Sequence, residues 1–267
     1  MKSLLNYIPD RPCKPRKSGV TMVMDKGLSI RETEDFIATG GEYTDFAKLG
    51  FGTSFVMSEK DVMTKIQLYK EANIKVYFGG TLFEAYIIRD KFKEYRKLIE
   101  KFKVDAIEVS DGSILMEQDD KCEYIKKLSE DYTVLSEVGS KEAGIITAPN
   151  KWISMMQAEL NAGSSFVIAE ARESGTVGIY RPNGNAHVAL VNKIVAKVDQ
   201  DKILWEAPLK SQQVWFVKML GANVNLGNIA PNEAIPLETL RIGLRGDTFF
   251  QFLPEEFQNL RIKPDSK

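Results

Sequence analysis

Histidine occurs once in the 267 residues, at His187, and cysteine twice, at Cys13 and Cys122. So few soft ligands argue against a structural zinc site, and two cysteines cannot build a disulfide framework. Both are read as free thiols, which suits a reducing compartment. A Ser-His-Asp triad would have to use His187, which lies at the start of a helical stretch and away from a strand end, so that chemistry is not expected. Net charge is almost absent, with 36 basic residues against 37 acidic ones. No global field draws the chain to a polyanion or an anionic bilayer, so neither nucleic acid nor membrane is an expected partner. No apolar run approaches the roughly 18 residues of a transmembrane helix. Segment 1–18 has no apolar stretch of the signal-peptide kind and instead sets Pro9, Pro12 and Pro15 among Arg11, Lys14, Arg16 and Lys17. A cytoplasmic protein is expected, with this basic segment an arm over the domain. Also missing are a Gly-x-Gly-x-x-Gly turn after the first strand and any Pro-, Gly- or Ser-rich linker, which disfavours an open dinucleotide-binding sheet and an internal domain boundary.

What is present is 43% hydrophobic and 27% charged residues, enough apolar material for a sizeable core. Eight β-rich runs are legible: 20–24, 43–49, 74–78, 106–110, 133–138, 165–169, 203–206 and 223–226. Helical spacing falls between them, over 58–72 (with Ser58 and Asp61 as a capping pair), 83–102, 117–131, 151–160, 187–198 and 213–220. Alternating strands and helices imply parallel pairing with right-handed crossovers, and eight such units in about 250 residues imply closure. The expected fold is α/β, one (β/α)8 barrel domain spanning 1–267, with 1–18 an arm and about 242–267 a C-terminal extension. Barrels of this kind often associate, so a homo-oligomer is expected.

Charge accumulates where barrel enzymes place their chemistry, at the carboxyl ends of the strands. Strand one ends in Met24-Asp25-Lys26-Gly27 and strand two in Ala47-Lys48-Leu49-Gly50, while strand four reads Ile107-Glu108-Val109-Ser110-Asp111. Strands five, six and seven end around Glu137, Glu170-Ala171-Arg172 and Glu206. Period-two alternation puts Glu137 on the face of Leu135, Glu170 and Arg172 on that of Ile168, and Glu206 on that of Leu204. Carboxylates gathered in one concavity repel each other unless cations compensate them, and oxygen-only ligation favours a hard ion such as Mg2+. Glu137, Glu170 and Glu206 are candidates for such ligation, and which of them bind a metal is left open. After strand seven, Lys210 and Ser211 open a helix whose N-terminus could hold a phosphate. Asp25, Lys26, Lys48, Arg172, Lys210 and Ser211 are therefore candidate substrate-binding residues.

The strings Gly19-Val20-Thr21-Met22-Val23-Met24-Asp25-Lys26-Gly27 and Asp45-Phe46-Ala47-Lys48-Leu49-Gly50-Phe51-Gly52-Thr53 resemble those of the phosphosulfolactate synthase family. So do Glu108-Val109-Ser110-Asp111-Gly112, Ser136-Glu137-Val138-Gly139, Trp205-Glu206-Ala207-Pro208 and Leu240-Arg241-Ile242-Gly243-Leu244-Arg245-Gly246-Asp247-Thr248, in order along nearly the whole chain. The resemblance implies a Mg2+-dependent lyase that adds sulfite to phosphoenolpyruvate, giving (R)-2-phospho-3-sulfolactate, a step toward coenzyme M or sulfolactate. On that reading Lys141 is the acid that protonates the intermediate, and Glu137 is its catalytic neighbour. Two rivals are a Schiff-base lyase with Lys48 or Lys141 as nucleophile and a non-catalytic relative of the plant heat-stress-associated type.

Overall fold

Short β-branched runs and amphipathic stretches alternate regularly enough to close on themselves in the computed structural model, which describes residues 5–139 and 148–262. The strands are β1 (Thr21–Asp25), β2 (Phe46–Leu49), β3 (Lys75–Phe78), β4 (Ala106–Val109), β5 (Thr133–Val138), β6 (Phe166–Ala169), β7 (Ile203–Glu206) and β8 (Leu226–Ile229). Every ladder is parallel, in the order β3-β2-β1-β8-β7-β6-β5-β4. Across the remaining seam the Asp105 amide donates to the Val76 carbonyl at 3.1 Å, so the barrel is nearly closed.

The period of two sorts each strand between layers. Met22, Phe46, Tyr77, Ala106, Leu135, Ile168 and Leu204 fill the barrel interior. Val23, Ala47, Val76, Ile107, Val134, Val167, Ile203 and Leu226 face outward into the larger core beneath the helices. Those helices are α1 (Ile30–Gly40), α2 (Thr53–Val56), α3 (Glu59–Glu71), α4 (Gly80–Ile87), α5 (Phe92–Phe102), α6 (Gln118–Ser129), α7 (Pro149–Ala162), α8 (Val188–Val195), α9 (Lys210–Leu220) and α10 (Ala234–Arg241).

Several elements differ from the sequence reading. The single helix expected over 83–102 is two, because Asp90 adopts a left-handed conformation (φ 52°) that ends α4 and redirects the chain. β2 starts at Phe46, since a 3-10 turn takes residues Gly41–Tyr43. β8 lies further along than 223–226, and at its start the Asn225 side chain bonds both neighbouring strands while its backbone carbonyl accepts from the Trp205 amide at 3.1 Å. Its Oδ1 accepts from the Val20 amide at 2.9 Å and its Nδ2 donates to the Ile203 carbonyl at 3.1 Å. The helix α1 was not anticipated, although Ser29 and Glu32 form a reciprocal capping box at its start.

The basic arm crosses the amino-terminal end of the barrel. Arg11 pairs with Glu238 at 3.0 Å and donates to the Gly19 carbonyl. Lys14 donates to the Gly41 carbonyl at 2.7 Å, and Arg16 pairs with Asp45 at 3.1 Å. Beneath them the fully buried Arg241 donates to the Ala222 and Val224 carbonyls. The chain ends meet where the Tyr7 and Phe257 rings contact edge to face. No helix among the described residues is long and apolar enough to cross a membrane.

Candidate active site

Two residues beyond the apolar floor of the barrel, the inward positions change character. Phe46, Ala106, Leu135, Ile168 and Leu204 are followed on the same face by Lys48, Glu108, Glu137, Glu170 and Glu206, all 0–7% exposed. A ring of ionisable groups thus sits on a hydrophobic plug, at the carboxyl ends of the strands. Lys48 Nζ lies 2.8 Å from a Glu108 oxygen, 3.6 Å from Glu206 and 3.8 Å from Glu137. Glu137, Glu170 and Glu206 each offer an oxygen within 4.8 Å of the others'.

The electrostatics follow from burial. Desolvation pushes the Glu206 carboxyl up to about 8, against the pull of Lys48 and with Glu137 and Glu108 adding repulsion. Burial alone would lower the Lys48 ammonium, but Glu108, Glu206 and Glu137 together outweigh it and hold it above the usual lysine range. The Tyr77 hydroxyl, beside Lys48 in the β2–β3 register, is pushed up by burial and then by Glu108, Glu206 and Glu137.

Backbone geometry fixes the ring. The Gly80 amide, at the first turn of α4, donates to Glu108 at 2.7 Å. A Cβ on Gly80 would stand 2.6 Å from that Glu108 oxygen, so the close approach requires glycine. One turn on, Glu84 accepts a 2.5 Å bond from Ser110. At the end of β5, Gly139 takes φ 134°, and a Cβ there would lie 2.7 Å from Cβ of Glu170 and 2.8 Å from the Trp152 ring. Glu206 also accepts from the Ala171 amide at 2.8 Å.

Above the ring opens a cavity of about 370 Å³, lined by Met24, Lys48, Phe51, Gly79, Gly80, Thr81, Glu108, Glu137 and residues 170–174. The structure brings together four of the expected residues, Lys48, Glu137, Glu170 and Glu206, the first three lining the cavity and Glu206 buried against them, with the exposed Arg172 at the rim. Lys26 also reaches the rim, ion-paired with Glu173 and 5.7 Å above the Phe51 ring.

Three others are not brought to the cavity. Asp25 is fully buried, with Oδ1 accepting from the Gly27 and Leu28 amides and Oδ2 bonded to Tyr69 at 2.8 Å and Lys65 at 2.6 Å. It shapes the loop after β1 and leaves no oxygen for substrate. Lys210 is exposed and pairs with Asp247 at 2.7 Å. Ser211 lines a separate recess of about 300 Å³ beside Tyr180, Gln212 and Trp215. α9 starts at Lys210, before the expected 213, because Gln212 caps it by accepting from the Leu209 amide at 3.1 Å. Lys141 lies outside the described residues. Glu108 was not among the candidate site residues, although Ala106 and Glu108 repeat the apolar-then-acidic alternation of β5, β6 and β7.

Comparison with known proteins agrees with this architecture. The solved 3-hexulose-6-phosphate synthase of Salmonella typhimurium superposes with a TM-score of 0.53 over 85% of this chain and 100% of its own, at 12% identity, a likeness of fold alone. Two relatives, each named phosphosulfolactate synthase, are 41% identical. The Methanothermobacter thermautotrophicus protein aligns over 90% of this chain and 95% of its own length, and the Bacillus subtilis protein over 91% and 97%. Residues 9–247 match the family described as (2R)-phospho-3-sulfolactate synthase (ComA). This (β/α)8 barrel, with its ring of buried glutamates, belongs to the phosphosulfolactate synthase family of enzymes.

Proposed function

We propose that the enzyme adds sulfite to phosphoenolpyruvate, giving (R)-2-phospho-3-sulfolactate, with Mg2+ held by Glu137, Glu170 and Glu206. The observation that carries this is the convergence of these three buried carboxylates within 4.8 Å of one another at the carboxyl ends of β5, β6 and β7. The donor set fits the ion: three hard oxygens, in a chain whose single histidine is not among them. When bound, Mg2+ supplies Lewis-acid stabilisation of negative charge on the substrate carboxylate.

The chain's own residues meet the remaining demands. The sulfite lone pair attacks the methylene carbon, the alkene electrons move toward the carboxylate, and a proton must reach the phosphate-bearing carbon. Lys48, held charged by Glu108, fixes a positive charge at the cavity wall. Its raised pKa disfavours the neutral amine that a Schiff base requires. Arg172 and Lys26 at the rim attract the phosphate and the sulfite dianion, which repel each other in bulk water. Protonation is assigned to Lys141, four residues beyond Glu137 in the chain.

The test is 31P NMR with phosphoenolpyruvate and sulfite, with Mg2+ or with a chelator, on the wild type and on Glu170→Gln. A new phosphate-ester resonance that needs the protein, sulfite and Mg2+ is expected, slowed by about 10²–10³-fold in the variant. No new resonance with all components present would refute the assignment. Covalent trapping by borohydride would redirect it to Schiff-base chemistry.

A further inference from the structure

We infer that Lys121, on α6 outside the barrel wall, is the positioning residue that sets the Glu137 carboxylate in the cavity and thereby tunes the site's affinity for a divalent cation. This rests on the cation reading proposed above. Lys121 is fully buried, and its Nζ donates to three oxygens from three different parts of the fold. These are the Glu137 backbone carbonyl at 2.5 Å, the Asp111 carboxylate at 2.8 Å and the Glu159 carboxylate on α7 at 2.9 Å.

The carbonyl contact matters because of where the sheet stops. β4 pairs with β5 only as far as Val109 opposite Ser136, one residue short of Glu137. On the other side β5 stays paired to β6 through Glu137 and Val138. The Glu137 carbonyl lies just past the last registered pair of the β4–β5 ladder, and Lys121 donates to it there. Gly139, wedged between Glu170 and Trp152, closes the same segment from beyond.

Stability alone accounts poorly for this arrangement. A buried ammonium between two carboxylates is usually no more stabilising than apolar residues of the same volume. Burial would lower the Lys121 pKa, but Glu159 and Asp111 keep the ammonium charged. Groups that orient a ligand from behind commonly change metal affinity by about 10- to 100-fold when removed. Of the three carboxylates, Glu137 is the one whose own backbone carbonyl Lys121 holds.

The experiment titrates Mn2+ into the substrate-free protein and follows free Mn2+ by EPR, with a thermal melt of each variant. Lys121→Met alone strands Glu159 and Asp111, so the working variants are Lys121→Met/Glu159→Gln and Lys121→Gln/Glu159→Gln, with Glu159→Gln as the control that keeps the carbonyl contact. The expected result is wild-type affinity in the control and about 10- to 100-fold weaker Mn2+ binding in a folded double variant. A folded double variant that binds Mn2+ as tightly as the control overturns the positioning role and leaves the cation reading standing. A wild type that binds no Mn2+ overturns the cation reading, and this inference with it.

Discussion

Lys48 of β2 reaches past β3 to place its ammonium 2.8 Å from Glu108 of β4, with both side chains at most 8% exposed. The pair is tied further to Glu137 and Glu206, so removing the cation leaves buried carboxylates facing one another. Lys48→Met is expected to cost about 3–5 kcal/mol in urea denaturation, and Lys48→Met/Glu108→Gln to cost less than the single change. Equal losses in both variants would show that the pair is not what the lysine stabilises.

Gly80 gives a second, backbone-level prediction. Alanine there would press on Glu108 and Ser110, neither of which has room to retreat while Lys48 and Glu84 hold them. A loss of about 1–3 kcal/mol is expected despite alanine's better helix propensity, together with a fall in kcat. A variant as stable and active as the wild type would contradict the close packing.

At the opposite end of the barrel the prediction is a change in stability without one in chemistry. Arg11 and Glu238 are each 6% exposed, so Arg11→Met strands a buried carboxylate and is expected to cost about 3–5 kcal/mol. Under conditions where the variant stays folded, kcat and KM are expected to match the wild type.

His187 is a built-in titration probe because no other imidazole can confuse its NMR signal. Partial burial, and then the nearby Arg181 charge, hold it below the usual histidine value. The sign follows: the folded state prefers the neutral ring, so its contribution to stability is present above the unfolded pKa of about 6.5 and is lost as pH falls below it. Arg181→Ala is expected to move the titration upward without fully normalising it. An unchanged titration would remove Arg181 as a cause.

The barrel and the core of its site were legible because both rest on a period of two. Leu135 with Glu137, Ile168 with Glu170 and Leu204 with Glu206 declare an inner face that is apolar below and acidic above. What was not legible depends on partners distant in the chain. Nothing local to Asp25 says that Lys65 and Tyr69, some forty residues on, will occupy it. Lys210 looked equally able to face the cavity until the chain beyond α10 supplied Asp247. The break at Asp90 turns on one left-handed residue inside a long amphipathic pattern. The missed α1, by contrast, carried its signal openly in Ser29 and Glu32.

Among the described residues, four buried carboxyl groups at the carboxyl ends of the strands, Glu108, Glu137, Glu170 and Glu206, stand against the one ammonium buried among them, that of Lys48. Such a cluster repels the very anions it would have to process, and a proton on Glu206 only softens that bias. On the cation reading proposed above the consequence is temporal: assembly would have a compulsory order, in which the cation docks first and reverses the local field, and only then would the two anionic reactants find a hospitable surface.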